Sequence, residues 1–427
     1  MLKVTKFGGS SLCDSTAFAR VRELVLADPA RRVVVVSAPG RRHSADHKLT
    51  DLLYLCHAHL QYGVSCWDLW RRVSDRFREI RDGCAVACPI ERTLDGIYAA
   101  LGPDTPQDWL VSRGECLAAM LMAQLLDFTF VDAKDWLLFD AQGRVQKEAS
   151  YAALRSLADG RKIVTPGFYG ALPGGAIHTL SRGGSDITGA LAAAALHADL
   201  YENWTDVPGI LAADPRIVPS PAPVAALRYD ELQTLAQVGM QVLHESAVAP
   251  VAAAQIPLRI CSSHEPEKPG TLVSAQLPAQ PSAAAVCFAG RRKLAMLRVV
   301  SPTAGAAALA DVLRRLDVPL FSVQQACGVT TALLAMPRNA EALHKAQAAV
   351  REELHPESCT LRENLSALAC LCRQTYAAPA IAGAVEAAGV PVHHMFTAGS
   401  CAVLTVNDSQ YETALRAAYD ARGRMEN

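Results

Sequence analysis

No apolar stretch in this chain of 427 residues approaches the ~20 residues that a membrane-spanning helix needs. No long block of like charge interrupts it either. The 41 Lys and Arg nearly balance the 42 Asp and Glu, for a formal net charge of −1, so a nucleic-acid partner has no electrostatic footprint. Neither nucleic acid nor membrane is expected as a partner. The opening MLKVTKFGGSS lacks the apolar centre of a secretory leader, and a cytoplasmic location is expected. The 13 cysteines are odd in number and scattered among apolar neighbours, which reads as reduced thiols rather than a disulfide framework. The close pairs Cys84/Cys88, Cys370/Cys372 and His57/His59 have no matched second pair at zinc-site spacing, so no protein-held metal centre is expected.

A hydrophobic content of 51% is ample for packed cores, and the length suggests about two to four domains. Short β-rich runs alternate with helical ones in the first half. LKVTKF (2–7) and RRVVVVSAP (31–39) read as strands, as do TFVD (129–132), KIVTPG (162–167), LYENWT (200–205) and PLRIC (257–261). Helices are expected at 14–27, 50–62, 66–82, 106–126, 185–197, 229–238 and 244–254, the first capped by Asp14. Apolar strands separated by helices indicate a mostly parallel sheet covered on both faces. After AQLPAQPSAAA (275–285), a linker composition, the pattern changes. LADVLRRLDVPLFSV (309–323) and IAGAVEAAGVPVHHM (381–395) share a helix, a turn and a Val-Pro strand opening, 72 residues apart. LAMLRVV, TTALLAM, SALACLC and CAVLTV flank them as further strands. Two tandem βαββαβ modules are expected; they carry no catalytic cluster, and binding or regulation suits them better.

Four segments carry chemistry. In KFGGSS (6–11) a strand runs into Gly8 and Gly9, which let backbone N–H groups approach an anion. Lys6 adds a full positive charge, although it precedes the glycines, unlike the lysine of a GxxxxGK[ST] loop. In SRGGSDITGALAAAAL (181–196) a second glycine turn opens an alanine-rich helix; Ser185 or Asp186 can cap it, and Arg182 suits a carboxylate or phosphate. ENWTDVPGILAADPR (202–216) leaves a strand for a long loop, at the sheet edge where open α/β folds take ligands. SRGE (112–115) places Glu115 in a helix, as a surface charge or as a partner for an ammonium group. Taken one at a time, a plain turn or a capped βα connection explains the glycine segments; two such turns beside basic residues point to a site.

Together and in this order, these segments closely resemble the aspartokinases of the amino acid kinase family. The matching residues are 6–11, 112–115, 182–186 and 204–216, with VLHE (242–245) similar to the family's V-L-H-P, GTLV (270–273) closing the catalytic domain, and a tail similar to paired ACT modules. The resemblance implies an αβα sandwich with a mostly parallel central sheet. It also implies a catalytic domain over 1–275, a linker over 276–290, and ACT-like modules over 291–356 and 357–427. The implied reaction passes the γ-phosphoryl group of ATP to the β-carboxylate of L-aspartate, with Mg²⁺ bridging the ATP phosphates. In it Lys6, Gly8, Gly9 and Ser10 hold the transferring group and Asp186 organises Lys6. Thr50, Glu115, Arg182, Ser185 and Asp186 bind the substrate, while Thr205, Asp206, Asp214, Arg216 and Gln241 line the nucleotide. Arg182 with Glu115 matches an α-amino acid.

Three departures accompany the resemblance. Gln241 stands where the family commonly has a lysine, leaving Arg216, Mg²⁺ or the 40–48 loop (Arg41, Arg42, Lys48) to supply charge, and Leu211 replaces an aromatic residue. The tail segment TAGSCAVLTV (397–406) departs from the family's effector-site pattern. Feedback by lysine or threonine and purely structural, homo-oligomer-forming modules are both open. The alternatives to an aspartokinase are a kinase for another acidic amino acid or carboxylate, and a non-catalytic amino acid sensor.

Overall fold

The computed structural model describes residues 1–181, 183–240, 245–277, 285–337 and 341–425. The chain divides into two compact units: Met1–Ile210, Pro223–Tyr229 and Gln241–Pro278 in the first, and Leu211–Ala222, Asp230–Met240 and Ala279–Asn427 in the second.

The strands of the first unit are β1 (Lys3–Phe7), β2 (Arg31–Val36), β3 (Thr129–Phe130), β4 (Ile163–Pro166), the hairpin β5 (Tyr169–Ala171) and β6 (Ile177–Thr179), β7 (Leu200–Thr205), β8 (Ala226–Arg228), β9 (Leu258–Ser262) and β10 (Thr271–Ser274). Eight of them form one sheet in the order β3-β4-β2-β1-β7-β9-β10-β8. Every pairing is parallel except β9 with β10. Its helices are α1 (Ser15–Leu26), α2 (Leu49–Gln61), α3 (Trp67–Gly83), α4 (Ile90–Ala99), α5 (Gln107–Val111), α6 (Arg113–Leu126), α7 (Lys147–Ala158) and α8 (Gly184–Ala195), with α10 (Glu245–Ala253) later in the chain.

Alternation along the strands sorts the side chains onto two faces. Phe7, Val34, Val36, Val164 and Trp204 pack with the apolar stripes of α1, α2, α3 and α6. Opposite-parity residues face α8. The Tyr201 hydroxyl lies against Gly189, where an added Cβ would sit 2.5 Å from it, and Lys6 and Asn203 reach Asp186. The expected αβα layering is therefore present.

Asp14 caps α1 as expected, accepting from the Ala17 amide at 2.8 Å. The helix expected over 106–126 is instead two, α5 and α6. At the break, the Ser112 hydroxyl and the Arg113 Nε both donate to the Trp109 carbonyl, at 2.8 and 3.0 Å, in competition with the helical ladder. Two helices had no sequence expectation. In α4 the apolar signal is sparse, with Ile90, Leu94 and Ile97 buried; in α7 the buried residues are Ser150, Leu154 and Ala158.

In the second unit α9 (Tyr229–Gln237, with Tyr229 in the first unit) precedes β11 (Ala285–Val300), α11 (Ala306–Arg315), β12 (Leu320–Ala326), β13 (Val329–Ala335) and α12 (Glu341–Leu354). Then come β14 (Ser358–Cys372), α13 (Ala377–Ala387), β15 (His394–Ala398), β16 (Cys401–Asn407) and α14 (Tyr411–Met425). The antiparallel sheet runs β12-β13-β11-β14-β16-β15. The repeat is thus βαββα twice, and the long central strands β11 and β14 pair along both halves, supplying the closing strand expected of each module. Residues 285–290, expected in the linker, belong to β11. Val318-Pro319 leads directly into β12, whereas β15 starts three residues after Pro391.

One charged cluster ties the centre of the first sheet. Glu202 on β7 is 2% exposed and accepts two bonds from Arg31 on β2, at 2.7 and 3.2 Å. It also accepts from the Trp204 indole at 3.1 Å, and Lys3 on β1 stands 3.4 Å away. Removing one partner of such a buried pair leaves the other charge desolvated, so Glu202→Leu is expected to destabilise the chain by about 3–5 kcal/mol. Urea unfolding checks this, and a midpoint equal to that of the unsubstituted chain contradicts it.

Candidate active site

The carboxyl ends of β1, β2, β4 and β7, with the N-terminus of α8, surround a cavity of about 840 Å³. Strand ends are where a parallel sheet exposes loops to a ligand. Gly8, Gly9 and Ser10 leave β1 in a 3₁₀ turn, with the Gly8 amide tied to the Trp204 carbonyl at 3.0 Å. Beside them the β2 end continues as Ser37-Ala38-Pro39-Gly40, and the Gly40 amide donates to the Gly9 carbonyl at 2.8 Å. The two backbones touch so closely that a Cβ on Gly40 would lie 2.7 Å from Gly9 atoms.

Lys6 is 7% exposed, and its Nζ sits 2.7 Å from Asp186 Oδ1. Asn203 Nδ2 donates to the same oxygen at 2.9 Å. Asp186 thus links β1, β7 and the first turn of α8. The cap expected from Ser185 or Asp186 is absent: Gly183, at φ 76°, holds the capping position with no side-chain bond. Asp186 is engaged by Lys6 and Asn203, and a left-handed backbone at residue 183 favours glycine. Phe168, also in the lining, has φ 79° and is held by bonds from its amide to Thr188 Oγ1 and from Leu180 N to its carbonyl, at 3.0 and 2.7 Å. Such a conformation in a non-glycine residue is strained, and it persists because the neighbours fix it.

Glu115 opens onto the same cavity from the first turn of α6 and is 4% exposed. Burial pushes its carboxyl up to about 8, against weaker opposing effects from the Glu115 and Ala38 amides and the Arg113 charge. Among the described residues its Oε2 has no hydrogen-bond partner. A buried polar atom without a partner is costly, and the Glu115 residue that carries this one lines the cavity.

Of the residues singled out in the sequence, Lys6, Gly8, Gly9, Ser10, Thr50, Glu115, Ser185, Asp186, Thr205 and Asp206 line this one cavity. Arg182 and Gln241 lie outside the described residues. Asp214 and Arg216 belong to the second unit, where they pair with each other at 2.6 Å. Arg42 of the 40–48 loop is engaged with Asp46 and Glu79, at 3.0 and 2.8 Å, whereas Arg41 and Lys48 line the cavity. Sequence reasoning missed Asn203, Gly40, Tyr54 and Phe168. The Pro39-Gly40 pair ending β2 was a usable signal; Asn203 inside a strand gave none.

Three comparisons bear on this cavity. The model of the "Amino acid kinase family" matches residues 1–262. Aspartokinase 3 of Bacillus subtilis (strain 168) is 36% identical over 291 residues, which are 64% of this chain and 63% of that protein. Lysine-sensitive aspartokinase 3 of Escherichia coli (strain K12) is 34% identical over 294 residues, 63% of each. The chain therefore spans somewhat under two thirds of the length of these curated relatives. The crystal structure of Clostridium acetobutylicum aspartate kinase superposes with a TM-score of 0.87 at 30% identity, covering 98% of this chain and 99% of that one. E. coli aspartokinase III, at a TM-score of 0.75 and 24% identity over 99% of both chains, is alike in fold.

The raised Glu115 carboxyl sets a pH dependence. The unfolded chain releases this proton near the ordinary value of 4.5, while the folded chain keeps it to about 8. Folding therefore binds a proton between those values, and Glu115 lowers stability progressively as pH rises through that window. Above about pH 8 the loss is complete, at roughly 1.4 kcal/mol for each unit of separation. Glu115→Gln is expected to raise the melting temperature of the ligand-free protein most at pH 8–9 and least near pH 5. A difference that is flat with pH contradicts the assignment.

Proposed function

This chain belongs to the amino acid kinase family, and from that premise we propose that it is an aspartokinase, phosphorylating the β-carboxylate of L-aspartate with ATP. The observation that carries the reading is the Lys6–Asp186 pair at 2.7 Å beside the Gly8–Gly9 turn, with the orphaned Glu115 oxygen in the same cavity. An aspartate carboxylate is ionised at neutral pH, so its oxygen attacks the γ-phosphorus directly. The new O–P bond forms as the bond to the β–γ bridging oxygen breaks, ADP departs with that electron pair, and no proton needs to move. The barrier is anion against anion, and the protein's part is positioning and charge neutralisation.

Lys6, steadied by Asp186 and Asn203, meets the transferring phosphoryl group, and the amides of Gly8, Gly9 and Ser10 cradle it. Thr50, Ser185 and Glu115 take the amino acid end, with Arg182 for its α-carboxylate. An arriving ammonium supplies the donor that Glu115 Oε2 lacks and favours its ionised form. Thr205 and Asp206 line the nucleotide side; Asp214, Arg216 and Gln241 are carried as nucleotide residues on the resemblance alone. Among the described residues no group of three or more His, Cys, Asp or Glu stands where it can hold a metal ion. The donor set fits Mg²⁺ carried in on the nucleotide phosphates, with Asp186 and Asp206 as the nearby carboxylates. Bound in that way it supplies charge neutralisation at the phosphates.

No helix among the described residues is long and apolar enough to cross a membrane, and a cytoplasmic enzyme is proposed. The domain division is proposed as a catalytic region to about residue 275 followed by two ACT-like modules, through which the chain forms homo-oligomers. Because one relative carries the name lysine-sensitive, lysine is the first effector proposed and threonine the second.

Trapping acyl phosphate with hydroxylamine across a panel of acids tests the assignment. Hydroxamate is expected from aspartate, and product from glutamate or a simple acid without aspartate sinks it. Lys6→Met is expected to cut turnover at least about 100-fold with the fold retained by circular dichroism; full activity overturns the phosphate role. Millimolar lysine is expected to inhibit the unsubstituted enzyme, and insensitivity to both lysine and threonine leaves the modules a structural role.

A further inference from the structure

The charges lining the cavity do not suffice for its proposed contents if only Lys6 is counted. Lys6 is already paired with Asp186 at 2.7 Å, and Asp206 adds further acidic lining. A nucleoside triphosphate and a dicarboxylate then bring several more negative charges. Among the described residues, the lining cations besides Lys6 are Arg41 and Lys48.

Both sit on one excursion of the chain, residues 40–48, and its anchoring is unusually specific. Leu49 N donates to the Pro39 carbonyl at 3.3 Å and closes the neck of the loop. Gly40 N on Gly9 O fastens one side of that neck to the glycine turn, so Arg41 emerges one residue from the phosphate cradle. Lys48 returns on the other side, immediately before α2. Beneath them Arg76 of α3, buried at 6% exposure, reaches the Gly40 carbonyl at 3.1 Å, the Cys13 carbonyl at 3.3 Å and Asp46 at 2.7 Å. Asp46 also accepts from the Arg42 amide and Nε, both at 3.0 Å. Its carboxyl lies well below the usual range: burial pushes it up, and the Arg42 bonds and Arg76 charge outweigh that. The loop thus consumes Arg42 and Arg76 to hold its shape and leaves its other two cations at the cavity. Arg41 has a loose neighbour in Asp51 at 3.9 Å, both half exposed.

We propose that Arg41 and Lys48 form a phosphate clamp on the nucleotide, carried by a loop that the buried Arg76–Asp46 pair holds in register with the Gly8–Gly9 cradle. This rests on the phosphotransfer reading. The loop backbone is held next to the cradle, and its two exposed cations extend from it within reach of phosphate oxygens.

Calorimetric titration of the full chain with Mg-ATP, Mg-ADP and, separately, L-aspartate tests it. R41M and K48M are each expected to weaken ATP and ADP about tenfold or more, with aspartate affinity and melting temperature unchanged. K48R is expected to restore most of the loss, and the double variant to show a flatter dependence of ATP affinity on salt. ATP affinity unchanged in the double variant overturns the proposal, as does a loss confined to aspartate, which would make the pair an acceptor site. Absence of ATP binding by the unsubstituted chain would instead sink the phosphotransfer reading and this inference with it.

Discussion

A lysine that serves an anionic ligand must be held in place without being swallowed by the group that holds it. Here the Lys6–Asp186 contact at 2.7 Å meets that constraint, and the surrounding geometry follows from it. Asp186 projects from the first turn of α8, so α8 has to start at the strand ends, and Gly183 gives it that start with a left-handed backbone. The same Asp186 oxygen accepts from Asn203 at 2.9 Å, which spreads its charge over two donors and leaves Lys6 with donor capacity for a ligand. Lys6 and Asn203 are register partners on β1 and β7 and so point to the same face. The face of β1 and β7 that carries Lys6 and Asn203 is therefore the α8 face, while the Phe7 and Trp204 face is given over to apolar packing.

Close approach is the second requirement, and glycine meets it at several points on the rim. A Cβ on Gly9 would stand 2.8 Å from the Ala38 carbonyl, and one on Gly167 would stand 2.6 Å from the Ser185 side chain. These close approaches draw the β1, β2 and β4 ends and the α8 start together, so backbone amides rather than mobile side chains form part of the wall. A preorganised wall costs little reorganisation when charge develops.

The parts that were legible in the sequence are those in which function is local. KFGGSS and GGSD announce themselves because strand, glycine and helix start follow within a few residues. The valines of β2 and the Asp14 cap are equally local. What escaped depends on the third dimension. Asn203 reads as an ordinary residue of a buried strand, and only register places it over Asp186. α7 buries serine and alanine around one leucine, so its apolar period is faint. The break at Ser112 depends on two side chains choosing one carbonyl.

Under the proposed function, Glu115 favours one class of acceptor. Burial keeps its carboxyl protonated up to about pH 8 and leaves Oε2 without a partner. A simple dicarboxylic acid brings only acceptors, so it meets the protonated carboxyl but offers the ionised one neither a donor nor an opposite charge. An α-amino acid brings an ammonium group with three donors, which pairs the oxygen and stabilises the ionised form at once. The amino acid therefore relieves a cost already present in the free protein, in addition to forming a charge-assisted hydrogen bond of its own. Under the proposed reading, preference for the amino group thus originates in the buried Glu115 carboxyl of the free protein.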